Sequence, residues 1–277
     1  MKIVITAGHN KSMHTIALMH DLIKNGHEIT GCIQVRTFQL KRLKSYLKQY
    51  GLETVKAKYR SHVLGSKNTY LENETKLIKE YLKNNNIHDY KTTYFCRKAG
   101  IKHITTNSIN DIKIEQFIKR NNIDLVVYAG GGIVRKNIIG SSKYGVLNAH
   151  SGFLPFFRGM NVIEWSLLYG FLPHTTIHLI DTGIDTGRII YSEPIPFSAD
   201  LYSYRGNATV HNVKLLVTII NNFQAYRNEA AEQKETDGKQ FFVMHKRLKT
   251  IVAAYLIRCN SDLSQLKTNI SNELKFS

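Results

Sequence analysis

Only three cysteines occur in the 277 residues: Cys32, Cys96 and Cys259, odd in number and far apart. With no CxxC pair they exclude a disulfide-stapled scaffold, a zinc ribbon and a thioredoxin-like redox centre, and so sparse a set suits a reducing compartment. Long apolar runs are missing too. The first, residues 3–7, is too short for the apolar part of a secretion signal, and nothing approaches the roughly 18 residues of a membrane span. The expected location is the cytoplasm, with no membrane partner. Acidic residues are scarce: 21 Asp plus Glu stand against 38 Lys plus Arg, a formal charge of +17. That surplus attracts phosphates, nucleotides, nucleic acid or an acidic membrane surface without choosing among them. Plain compositional drift also produces Lys embedded in Asn and Ile, as at residues 119–123. His9 and His14 are spaced HxxxxH without a third ligand, so no metal is expected. No internal repeat is found.

What is present is a globular apolar fraction of 43%. Residues 3–7 read as a buried strand broken at Gly8. Ile16, Leu18, Met19, Leu22 and Ile23 recur at helical spacing up to Gly26, and residues 28–35 read as a second strand. This strand–loop–helix–strand opening predicts an α/β fold, Rossmann-like, with a mostly parallel sheet flanked by helices. Residues 37–86 are charged and largely helical in pattern, with Leu71, Leu77, Ile78, Tyr81 and Leu82 on one apolar face. Further strands are expected at 101–106, 123–129, 145–150, 175–181 and 188–195, with helices at 161–169 and up to Arg120. The second of these helices would be capped by Ser108 or Asn110. After Phe197 the texture changes. A long helix over 203–226, an exposed connection over 228–239, a strand over 241–244 and a helix over 246–258 are expected. The division is therefore residues 1–197 as a main domain and 198–277 as a small, mostly helical C-terminal extension.

Three features carry chemistry. Asn148 and His150 lie two apart at the end of an expected strand, on one face, and ligands of open α/β sheets bind at strand ends. Asp181-Thr182-Gly183-Ile184-Asp185-Thr186-Gly187 is a tight loop after a β-branched strand. Phe157-Arg158-Gly159 precedes a helix, where a cation suits an anion; a solvated loop arginine is the plainer alternative.

In this order, the run from Asn148 through His150, Pro155 and Arg158 to Gly159, followed by Thr176, His178, Asp181, Asp185 and Gly187, resembles the formyltransferase family. That family includes glycinamide ribonucleotide transformylases, methionyl-tRNA formyltransferases and nucleotide-sugar N-formyltransferases. The resemblance covers about residues 123–197 and is topological before that. Two departures stand out: Ser151-Gly152 where the family usually has Pro-Ser, and Ala7-Gly8-His9-Asn10-Lys11-Ser12 in the first loop. The run Arg158-Gly159-Met160-Asn161-Val162-Ile163-Glu164-Trp165 looks nearest to family members that act on amino sugars.

The resemblance implies formyl transfer from 10-formyltetrahydrofolate to a primary amine, expected to be that of a nucleotide-linked amino sugar. It implies Asn148 as oxyanion donor, His150 as acid–base group and Asp185 as its carboxylate, with Asp181 as rival. It places the folate against Gly130, Gly131, Gly132, Ile133 and Val134 and against Ile180 and Asp181. Gly131→Val is expected to weaken folate binding and disturb the fold little. The acceptor is expected against Gly8, His9, Asn10, Arg158, Gly159, Asn161 and Trp165. Glycinamide ribonucleotide or an aminoacyl-tRNA as acceptor, formyltetrahydrofolate hydrolysis, and a non-catalytic basic nucleic-acid-binding protein on the same fold remain alternatives. Partners are expected to be small molecules rather than nucleic acid, and a homodimer is left open.

Overall fold

A computed structural model describes residues 1–36, 69–259 and 266. Seven strands form the main sheet: β1 (Lys2–Ala7), β2 (Glu28–Val35), β3 (Lys102–Thr106), β4 (Leu125–Tyr128), β5 (Val146–His150), β7 (His174–Leu179) and β8 (Ile189–Pro194), in the order β3-β2-β1-β4-β5-β7-β8. The first five are parallel, whereas β7 and β8 run antiparallel to their neighbours. A small second sheet pairs β6 (Phe157–Gly159) with β9 (Lys239–Phe241) in parallel.

Alternation along the strands builds two cores. Ile3 and Ile5 of β1, Leu125 and Val127 of β4, and Leu147 of β5 face one side. There they meet α1 (Met13–Lys24), α2 (Thr69–Asn84), α3 (Thr92–Lys98) and α7 (Leu201–Asn221). Val4, Val126 and Val146 face the other side, against α4 (Ile112–Arg120) and α5 (Lys136–Ile139). Each fully buried aliphatic side chain contributes about 1.5–3 kcal/mol of transfer free energy. On this face of α2 the expected Ile78 and Leu82 are buried. The expectations for residues 37–68 and for the Leu71 side chain lie outside the described residues.

Several local expectations are corrected. The cap of α4 is Asp111, whose carboxylate accepts from the Lys113 N–H, because Asn110 is used elsewhere: its carboxamide accepts from the Arg135 N–H and donates to the Ile133 carbonyl. The long C-terminal helix starts at Leu201, capped by Asp200, and breaks at Asn222 before α8 (Phe223–Asn228). The strand expected over 241–244 ends at Phe241, because β6 is only three residues long; Phe242 and Val243 are left exposed.

The structure places α7 in the first core, with Val213, Leu216 and Ile220 against the main sheet. Residues 201–221, assigned from sequence to the extension, thus complete the sheet's own packing. A third core joins α6 (Val162–Leu168), α7 and α9 (Lys246–Cys259) through Ile163, Leu167, Tyr204, Val252 and Leu256. Glu164, 1% exposed, ion-pairs there with Arg205. No helix among the described residues is long and apolar enough to cross a membrane.

Candidate active site

The order of the parallel strands reverses between β1 and β4, and crevices open at such a switch point. There the loop at Gly8 approaches the Gly130–Gly131 backbone, and Thr6 Oγ1 donates to the Gly130 carbonyl at 2.6 Å. One strand further on, β5 ends in Asn148, Ala149 and His150. Antiparallel pairing sets Asn148 opposite His178 and His150 opposite Thr176.

The register explains the state of His178. Its Nδ1 lies 3.0 Å from the Leu179 carbonyl, which can only accept, so Nδ1 carries the proton. Its Nε2 therefore accepts from Asn148 Nδ2 at 3.0 Å. Burial, aided by neighbouring His150 and opposed by Asp185, pushes the His178 pKa down to about 4. A neutral, fixed imidazole thus holds the Asn148 carboxamide and leaves its second N–H to donate. His178 belongs to the motif, but its task shows only in its register opposite Asn148.

His150 is 7% exposed. Its Nε2 faces the Phe157 carbonyl at 2.8 Å and so carries a proton. Its Nδ1 stands 3.5 Å from Asp185 Oδ2, and Asp185 Oδ1 stands 3.7 Å from His178 Nε2. Asp185 adopts a left-handed backbone, φ +54°, which costs a non-glycine residue energy and must be held. The Gly159 N–H donates to Asp185 Oδ2 at 2.9 Å, and Gln233 Nε2 donates to the Asp185 carbonyl at 3.2 Å and to the Gly187 carbonyl. Gln233 lies in the stretch expected to be a mere exposed connection, and no local pattern marks it. The Gly152 departure also has a cause: a Cβ there would come within 2.7 Å of His150 Nε2 and 2.5 Å of the Phe157 carbonyl oxygen.

Asp181 does different work. Its Oδ1 accepts from the Gly183 N–H and from Thr186 Oγ1, closing the turn. Other expected site residues make their hydrogen bonds outside the Asn148, His150 and Asp185 cluster. Arg158 is 4% exposed and donates to the Gly238 carbonyl at 2.7 Å, so it is neither a solvated loop cation nor an exposed anion ligand. Trp165 Nε1 donates to the Phe242 carbonyl, and Asn161 Oδ1 accepts from the Met244 N–H. Asn10 Oδ1 accepts from Thr92 Oγ1 and the Thr93 N–H, and His9 Nδ1 accepts from the Lys11 N–H.

In the expected folate region, Ile133 is 69% exposed whereas Val134 points into the second core, beside which Ile180 packs. Ile133 to Asn137 and Thr182 line a cleft of about 490 Å³. Gly130, Gly131 and Gly132 all have positive φ. A Cβ on Gly131 would come within 3.1 Å of Val35 Cγ2, so Gly131→Val strains the fold, contrary to the expectation; at Gly132 a Cβ would meet open space.

The family model for formyl transferases matches residues 48–220. The chain belongs to the formyl transferase family. The match begins well before the stretch in which the motifs were legible. A methionyl-tRNA formyltransferase of Finegoldia magna is 29% identical over 155 residues, 54% of this chain and 50% of that protein. The chain spans about half the length of the curated relatives it matches. Glycinamide ribonucleotide transformylase 1 from Symbiobacterium toebii superimposes with a TM-score of 0.54 at 16% identity, covering 84% of this chain and 94% of that one. An N-formyltransferase from Helicobacter canadensis, in complex with folinic acid and dTDP-3-aminofucose, gives 0.53 at 14% identity, covering 93% and 80%. At such identities these likenesses establish the fold.

The buried histidines of this formyl transferase family member predict acid sensitivity. His178 and His14, each pushed to about 4 by burial, titrate below the ordinary 6.5, so the unfolded chain binds protons first as pH falls. Their contribution, a few kcal/mol, is fully present above about pH 6.5 and is lost as pH falls through about 4. Melting temperature is expected to fall steeply over that window, and less steeply in His178→Gln. Parallel curves for the two proteins would show that His178 is not the buried neutral group described.

Proposed function

We propose that the chain transfers a formyl group from 10-formyltetrahydrofolate to the primary amine of a nucleotide-linked amino sugar. The observation that carries formyl transfer is the cluster of Asn148, His150 and Asp185, with His178 fixing the first and Gly159 the last. As the amine nitrogen bonds to the formyl carbon, negative charge builds on the formyl oxygen. The spare N–H of Asn148, held in place beforehand, suits that charge. The amine must also lose a proton while the bond from formyl carbon to folate nitrogen breaks and that nitrogen gains one. His150 Nδ1, beside Asp185, is the group to carry it.

The fit to a folate rests on the cleft at Ile133 to Asn137. Exposed Ile133 and the open face at Gly132 suit a flat ring, and Arg135 and Lys136 on the cleft wall suit the carboxylates of a glutamate tail. The folate supplies the activated formyl group; these residues hold it. Gly132→Ala, strained at φ +95° but with its Cβ in open space, is expected to raise the Kd for 5-formyltetrahydrofolate at least about tenfold, as an added side chain in a packed site does. Unchanged affinity by calorimetry in the folded variant would displace the folate from this cleft.

The amino-sugar acceptor is supported by the fold likeness to an enzyme that holds dTDP-3-aminofucose over most of both chains. A second reading, methionyl-tRNA as acceptor, is favoured by the sequence relatives and the +17 charge. Formyl transfer to dTDP-3-aminofucose, glycinamide ribonucleotide and methionyl-tRNA, read by mass spectrometry, decides between them. Efficient formylation of methionyl-tRNA with no sugar product would reverse the order.

A further inference from the structure

His150 is followed by Ser151, which lines a cavity of about 230 Å³ with Asn161, Glu164, Arg205 and Thr209. A chain of hydrogen bonds reaches Ser151 from behind. Glu193 Oε1 on β8 lies 2.8 Å from His211 Nε2 on α7. His211 Nδ1 lies 2.9 Å from Thr175 Oγ1, and Thr175, fully buried on β7, lies 2.6 Å from Asn212 Oδ1. Asn212 Nδ2 lies 3.1 Å from Ser151 Oγ.

This chain has two fully satisfied arrangements, and one proton on His211 selects between them. Glu193 takes the Nε2–H in both. With His211 charged, Nδ1–H donates to Thr175, Thr175 donates to Asn212 Oδ1, and Asn212 Nδ2 donates to Ser151 Oγ. The Ser151 O–H is then free to donate into the cavity. With His211 neutral, Nδ1 accepts from Thr175, whose oxygen now accepts from a rotated Asn212 amide, and Asn212 Oδ1 takes the Ser151 O–H. Ser151 can then only accept.

We propose that Ser151 is a specificity-determining residue for the acceptor, and that His211, through Thr175 and Asn212, decides whether its hydroxyl donates to or accepts from that substrate. The inference rests on the reading above only in seating the acceptor beside His150. The groups facing His211 are Glu193 on β8, Lys214 on its own helix, and Glu80 and Tyr81 of α2 across a shared cavity of about 310 Å³. Burial and Lys214 lower the His211 pKa while Glu193 raises it, with burial the largest.

The test is the ratio of acceptor kcat/KM between wild type and Ser151→Ala from pH 5.5 to 8.5, which cancels the titration of the amine itself. It is run on whichever of dTDP-3-aminofucose, glycinamide ribonucleotide and methionyl-tRNA the wild type formylates. The ratio is expected to rise about tenfold, the worth of one hydrogen bond, as pH falls and His211 charges, and to stay flat in a Thr175→Val background. Asn212→Asp, which keeps the shape but can only accept, is expected to match Ser151→Ala alone and to add nothing to it, with the KM for folate unchanged. A pH-independent ratio, or the same rise with Thr175→Val, overturns the proposal. So does an Asn212→Asp enzyme that behaves as wild type, which serves if Thr175→Val fails to fold. A rising ratio on methionyl-tRNA would refute the amino-sugar reading and keep this one; transfer to none of the three amines overturns both.

Discussion

His150→Ala is expected to lower kcat for formyl transfer by about 10²–10⁴-fold, the usual worth of a positioned acid–base group. Asn148→Ala is expected to cost about 10²–10³-fold, the usual worth of one oxyanion donor. These losses should not add. His150 Nδ1 is useful only while Asp185 lies beside it, and Asp185 touches both His150 and His178, the residue that holds Asn148. The His150→Ala/Asp185→Ala double variant should therefore be little slower than the worse single variant. Affinity for 5-formyltetrahydrofolate should move far less than turnover, because the interactions at issue form as charge develops. The measurement is single-turnover transfer for the singles and the double, with folding followed by circular dichroism. Losses that multiply would mean that the residues act independently, and a fast His150→Ala enzyme would remove the mechanism.

Gly159→Ala is expected to damage fold and site at once. The Gly159 backbone is left-handed, φ +96°, and a Cβ there would lie 2.2 Å from the Phe241 carbonyl oxygen. Since that carbon cannot be accommodated, β6 must separate from β9. Backbone strain and overpacking each cost about 1–3 kcal/mol, which for a domain of this size lowers Tm by roughly 5–15 °C. The same glycine's N–H holds Asp185 Oδ2, so activity should fall further than the lost stability explains, even well below the new Tm. Wild-type Tm and turnover together would refute both the close approach and the anchoring of Asp185. Full turnover at reduced Tm would refute the anchoring alone.

The strands of the main sheet were legible because their residues are chosen by burial. Ile3, Ile5, Val126 and Leu147 are apolar whichever way the helices above them lie. Asn148 and His150 were legible for a related reason: two residues apart on a strand means one face, whatever the strand's partners. The β6–β9 pair was not, because two three-residue strands some 80 positions apart leave no periodicity, and only their meeting buries Arg158. The same non-local contact hides the tasks of Trp165 and Asn161, each of which bonds backbone in the segment after β9. Gln233 and His211 were illegible because each acts through hydrogen bonds to distant backbone or side chains, and their local sequence looks like any polar stretch.

The central claim is that Asp185, with His150 and Asn148, forms the reacting cluster, while Asp181 only closes the loop. Asp185→Asn and Asp181→Asn, compared side by side in single-turnover formyl transfer, test it most directly. A loss of about 10²-fold or more is expected for Asp185→Asn and, for Asp181→Asn, turnover close to wild type with a modest drop in Tm from a weakened turn. Near wild-type turnover in Asp185→Asn with collapse in Asp181→Asn would contradict it.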